Sequence, residues 1–205
     1  MHDEDRNGEV PQGLVRPWRH WRMRGHGVAA VYRALTRLDA EGALRLNRSV
    51  RATPFEGVVR VAAERLATVE VALMVTLGLS GKGQSALRMV QAVSTVYVAT
   101  EVVGALLPRE RPFRLEAITG LAEHKPGRSF PSRHVASGLA MAAIANREHP
   151  RLGQLMALVA WALGVSRVAA GLHYPSDVLA GAVLGRVVGA LFSPSASRTR
   201  SSPSN

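Results

Sequence analysis

The sequence contains no cysteine, so it offers neither a disulfide framework nor a thiolate metal site, and a cysteine nucleophile is excluded. Lysine occurs only at positions 82 and 125, and the positive charge therefore rests almost entirely on arginine. A cleavable secretory signal is not expected, because the chain opens on Asp3, Glu4 and Asp5 without a short apolar run ending in small residues. No carboxylate and histidine cluster at metal-ligand spacing is apparent, and neither a metal nor a cofactor is expected. What is present is a formal net charge of +11 on 205 residues, which suits acidic partners such as phosphorylated substrates or anionic headgroups. Nucleic acid is not expected as a partner, since much of the arginine falls in motifs or at helix flanks.

The length is that of one domain. Hydrophobic residues make up 47% of the chain and the mean hydropathy is +0.05, between a soluble enzyme and a typical polytopic membrane protein, so local distribution has to decide. Residues 1–27 read as a basic tail with Trp18 and Trp21 set among arginines, an interfacial anchor or a solvated arm. Over 28–38, Val28, Val31, Tyr32, Leu35 and Leu38 recur at helical spacing with Arg33 and Arg37 on the other face. Thr53-Pro54 reads as a break. Apolar helices are then expected over 58–80, 85–107, 133–146, 154–172 and 176–192, with a charged turn at 146–153 and a polar Ser/Pro/Arg tail over 194–205. Gly181, Gly185 and Gly189, spaced by four inside the last helix, are a packing stripe that lets a neighbouring backbone come close. The expected fold is all-α, a polytopic membrane bundle of five or six helices over 28–193. Five or six depends on whether 28–50 lies in the interface or crosses.

Two stretches in the second half carry chemistry: Ser129-Phe130-Pro131-Ser132-Arg133-His134, and Ser166-Arg167 followed by His173 and Asp177. Arg111-Pro112 precedes both, giving the order RP, PSxH, SRx5Hx3D. Antiparallel spans of about 20 residues alternate their ends between the two surfaces. On that scheme Arg111, His134, the Arg167 to His173 segment and Asp177 all come to one membrane face. Read apart, these residues would be polar caps at helix ends; read together, two histidines, two arginines and an aspartate are a set that handles phosphate.

The motif series, over roughly residues 100–190, resembles the type 2 phosphatidic acid phosphatase superfamily, the lipid phosphate phosphatases. The resemblance implies roles residue by residue. His173 matches the nucleophile that becomes a phosphohistidine, and Asp177 the carboxylate that accepts the other ring N–H. His134 matches the general acid for the leaving oxygen. Arg111 and Arg167 match phosphate clamps, their guanidiniums able to give parallel N–H bonds to two oxygens. Ser132 matches the serine of the second motif and is also placed to cap the following helix.

Two positions depart from that pattern. Gly104 stands where the family has a lysine seven residues before Arg111, and Arg133 stands where glycine is common. Arg133 or Arg109 is therefore expected to supply the lost cation. The implied function is a multi-pass cell-membrane phosphatase with an extracytoplasmic site, acting on a lipid-linked phosphate in contact with membrane lipids. A polyprenyl phosphate, sugar-phosphate or diphosphate lipid is expected as substrate, with phosphatidic acid or phosphatidylglycerol phosphate as alternatives. Two competing readings are a weakened member that binds lipid phosphate without turnover, suggested by Gly104, and a vanadate-dependent haloperoxidase, which uses similar residues in larger soluble proteins.

Overall fold

The computed structural model describes residues 26–193 except 116 and 124–126, with side chains from residue 34 onward. The basic arm with Trp18 and Trp21 and the tail over 194–205 lie outside the described residues. Among those described, the regular elements are six α-helices: α1 (His26–Val50), α2 (Glu56–Leu79), α3 (Gly83–Leu106), α4 (Arg133–Glu148), α5 (Pro150–Ala169) and α6 (Pro175–Phe192), with a single 3-10 turn at Pro112–Arg114. Three of them, α3, α5 and α6, are long and apolar enough to cross a membrane.

The outer surface of the bundle is apolar, unlike that of a soluble bundle. Leu35 and Leu38 of α1 are 61% and 64% exposed, and Val58, Val61, Val71 and Val75 of α2 and Leu179, Val183, Val187 and Leu191 of α6 also point outward. Small or polar residues share the inward face with the apolar core: Ala40, Ala43 and Asn47 on α1, Ala63 and Glu70 on α2, and the glycines of α6, beside Leu44, Leu77 and Val188. In lipid an outward apolar face carries no penalty, while small residues inside let backbones approach and gain dispersion contacts. The chain is a multi-pass membrane helix bundle.

The centre of the bundle is α4, most of whose residues are buried. The glycine stripe of α6 fixes its register against α4: a Cβ at Gly181 would lie 2.4 Å from the Ser132 carbonyl oxygen, one at Gly185 2.3 Å from that of Ala136, and one at Gly189 2.8 Å from that of Ala140. Three glycines spaced by four thus meet three carbonyls spaced by four, and no other residue type fits so close an approach. The same contacts hold Ser132, at the mouth of α4, against the first turns of α6.

Two boundaries differ from the sequence expectation. The charged turn expected over 146–153 shrinks to one residue, His149, because Pro150 opens α5 where a missing N–H is harmless. Gly153 then lets α5 lie directly on Asn146, 2.5 Å from where its Cβ would be. At the other end α5 stops at Ala169, not 172, since Gly171 takes φ +74, with Ile118 and Thr119 too near to admit a Cβ. The segment at 28–50 is one continuous helix packed on α5 and α6.

Candidate active site

At one end of the bundle a cleft of about 820 Å³ gathers Arg111, Arg133, His134, Arg167 and His173. They arrive from different elements: Arg111 from the segment after α3, Arg133 and His134 from the first turn of α4, Arg167 from the last turn of α5, and His173 from the α5–α6 connection. Ser132 and Asp177 stand behind this surface, each fully buried.

The α5–α6 connection is held by its backbone. Phe113 and Leu121 donate N–H bonds to the carbonyls of Gly171 and Ala170, and the N–H groups of Leu172 and His173 return to the Arg167 carbonyl. His173 is thereby fixed with Nδ1 2.9 Å from the Ser129 carbonyl oxygen. A carbonyl can only accept, so Nδ1 carries the proton and Nε2 keeps its lone pair. Burial pushes the His173 imidazole down to about 4, against the pull of Asp177, and the ring is neutral at pH 7.

The Asp177 carboxylate lies 3.6 Å from Nδ1, farther than the Ser129 carbonyl, so the nearest acceptor of the ring N–H is not the one expected. Asp177 Oδ2 accepts from the Tyr174 N–H at 2.8 Å, and Oδ1 from Arg109 at 2.7 Å. Ser132 occupies the N-cap position of α4 but makes no side-chain cap bond. Its N–H goes to the Asp177 carbonyl, and its buried hydroxyl has no hydrogen-bond partner.

Arg111 and Arg167 share one design. Each gives one Nη to a backbone carbonyl, Arg111 to Leu172 at 3.0 Å and Arg167 to Ala63 at 3.1 Å, and each keeps a buried Nε without a partner. Unmatched buried donors on two cations facing one cleft, beside a neutral histidine, suit an oxyanion. Burial lowers the Arg111 guanidinium from its usual range, with Asp177 opposing.

Arg109 does not enter the cleft. It is 3% exposed, bonds Asp39, Ser176 and Asp177, and stacks 3.8 Å over the Tyr174 ring. The expectation that it replaces a lost phosphate cation is corrected: two carboxylates, the buried Asp177 and the partly buried Asp39, already hold it. Arg133 does line the cleft, bonded to Glu101 at 2.9 Å and lying 4.5 Å over Tyr97.

Three further residues support the site. Asp39 of α1 joins Arg109 and the Ser176 N–H. Asn47, one per cent exposed, gives its amide to the carbonyls of Thr119 and Ala169 and accepts from the Thr119 N–H, tying α1 to the end of α5. Arg128 lines the cleft beside Glu101. Asp39 and Asn47 lie along the stripe that also holds Ala40 and Ala43; polar residues in register with small ones were the available signal. No group of three or more His, Cys, Asp or Glu side chains among the described residues could hold a metal ion.

Fold and site together define a membrane helical bundle with a cleft lined by histidines and arginines at one end. The family model of the PAP2 superfamily matches residues 85–200, more than half of the chain and every motif named above. The chain belongs to the PAP2 superfamily. It is 35% identical over 123 residues to the bacitracin transport permease protein BcrC of Bacillus licheniformis, covering 58% of this chain and 60% of that one. It is 33% identical over 82 residues to the undecaprenyl-diphosphatase BcrC of Bacillus subtilis, covering 40% and 42% respectively. The chain thus matches less than two thirds of the length of these relatives. The crystal structure of a transmembrane PAP2 type phosphatidylglycerolphosphate phosphatase from Bacillus subtilis shares the fold, with a TM-score of 0.63 at 21% identity over 80% of this chain and 87% of that one.

Proposed function

We propose that this protein is a membrane phosphatase that hydrolyses a lipid-linked phosphate, of the polyprenyl phosphate or diphosphate class, through a phosphohistidine on His173. The observation that carries the reading is the state of that ring: Nδ1 is committed to the Ser129 carbonyl, Nε2 is free, and the cleft it lines holds the unmatched Nε donors of Arg111 and Arg167. Nε2 attacks phosphorus as the bond to the leaving oxygen breaks, and His134, which takes up a proton once the substrate's negative charge offsets the surrounding arginines, gives that proton to the leaving oxygen. Arg111 and Arg167 hold the equatorial oxygens, whose charge they meet without reorganising. Asp177, anchored by Arg109 and near Nδ1, stabilises the imidazolium that forms. Water then attacks the phosphohistidine with His134 as base, releasing inorganic phosphate and restoring His173. Each proton transfer uses the chain's own groups.

The polyprenyl preference is supported by the similarity to the undecaprenyl-diphosphatase BcrC of Bacillus subtilis. The site is assigned to the extracytoplasmic face of the cell membrane, where protease cutting of the 112–131 loop in intact cells would place it. Purified protein in detergent should release phosphate from prenyl phosphates, and acid-labile, base-stable label should appear on the protein. His173→Ala should abolish both. Equal release by that variant, or none by the unmodified protein across a panel of lipid phosphates, would refute the reading.

A further inference from the structure

The catalytic pair of arginines does not account for all the cations in the cleft. Arg128 and Arg133 converge on one carboxylate: Arg133 Nη1 is 2.9 Å from Glu101 Oε1, and Arg128 Nη1 is 3.9 Å from Glu101 Oε2. Tyr97 supports Arg133 from below at 4.5 Å. Arg128 reaches this place across Gly104, its Cδ lying 3.4 Å from where a Cβ at 104 would stand. A Cβ there would touch Arg128 and come within 3.0 Å of the Phe130 carbonyl oxygen, so a longer side chain would compete with Arg128 for this space. Two guanidiniums and one carboxylate leave a positive charge on the α3–α4 wall, while on the opposite, α2 side of the cleft Glu64, whose carboxylate accepts the Glu123 N–H, and Glu123 stand with Arg65. The wall beside His134 is therefore the one that attracts an anion.

We propose that Arg128 and Arg133, ordered by Glu101, form a second anion subsite that takes the lipid-proximal phosphate of a diphosphate, while Arg111 and Arg167 take the terminal one. This rests on the phosphatase reading above and narrows its substrate to a diphosphate lipid. Nε2 of His173 attacks the terminal phosphorus and the bond to the bridging oxygen breaks, its electron pair staying on that oxygen. The lipid monophosphate leaves with its added charge met by Arg128 and Arg133, and water later releases the terminal phosphate from His173. Arg133 adjoins His134 in sequence, which sets the second subsite next to the group that protonates the bridging oxygen.

Farnesyl diphosphate and farnesyl monophosphate in one detergent separate the subsite from the catalytic centre, because they share a tail and differ by one phosphate. The unmodified protein should favour the diphosphate in kcat/KM. Arg128→Gln should lower the diphosphate to monophosphate ratio roughly ten-fold, the scale of one charge-assisted hydrogen bond. Arg128→Lys, which keeps the charge but not the fork, should fall between. A merely structural role for Arg128 would depress both substrates together, and an unchanged ratio overturns the second subsite while leaving the phosphatase reading intact. Failure of the unmodified protein to hydrolyse either substrate overturns both.

Discussion

Replacing Gly185 by alanine adds one methyl group far from any reacting atom, and the structure says why it should still reach the chemistry. The new Cβ would stand 2.3 Å from the Ala136 carbonyl oxygen, about 1 Å inside the 3.4 Å at which ordinary contact begins. The obstacle is backbone, so no rotamer can relieve it, and α6 must shift from α4 by about that distance. Overpacking of this kind costs about 1–3 kcal/mol. The shift would also separate His134 on α4 from the α5–α6 connection, and a misplacement of about 1 Å is enough to cost about 100-fold in rate. Gly57→Ala is the matched control, since its Cβ meets nothing within 4 Å and the substitution should leave helix stability equal or improved by about 0.5–1 kcal/mol. Thermal unfolding in detergent and phosphate release from a prenyl phosphate read the two effects. If Gly185→Ala matches the unmodified protein in Tm and kcat, the backbone contact between α4 and α6 is wrong.

Arg109→Met should destabilise the fold by about 3–5 kcal/mol, because it leaves the buried Asp177 and the partly buried Asp39 without their cation; a Tm in detergent equal to that of the unmodified protein would show that the ion pair holds nothing. The His173 imidazole, held near 4 in the folded state against 6.5 when free, sets a pH dependence whose sign follows from proton binding. Between those values the unfolded chain takes up a proton that the folded one refuses, so stability is lost as pH falls from 6.5 towards 4, on the order of 3 kcal/mol in all. His173→Gln should flatten that part of the Tm profile, and an equally steep loss in the variant would mean that other groups cause it.

The motif residues were legible because their spacing is local: Pro131 to His134 and Arg167 to Asp177 each span about one loop and a helix end, and alternating spans bring Arg111 to the same face. The helices were legible from length and apolar content, and the stripe of Gly181, Gly185 and Gly189 announced a close approach. What the stripe approaches, the carbonyls of Ser132, Ala136 and Ala140, is a long-range pairing with no local signature. Arg109 shows the same division. Its charge and place beside the RP pair suggested a phosphate ligand, yet Asp39, 70 residues earlier in the chain, holds it away from the cleft.

Residue identity and spacing by themselves determined the class of chemistry and the helical, membrane-embedded character, since those depend on side-chain type and on repeats within one helix. Only tertiary structure decided which face of α1 turns inward, which carbonyl accepts the His173 Nδ1–H bond, and which arginines line the cleft. On α1 Leu35 and Leu38 point out while Ala40, Ala43, Leu44 and Asn47 point in, so an amphipathic pattern read from the sequence does not say which face is the core. Partners of buried charges are chosen by contacts between distant segments, and those distances exist only once the helices have packed.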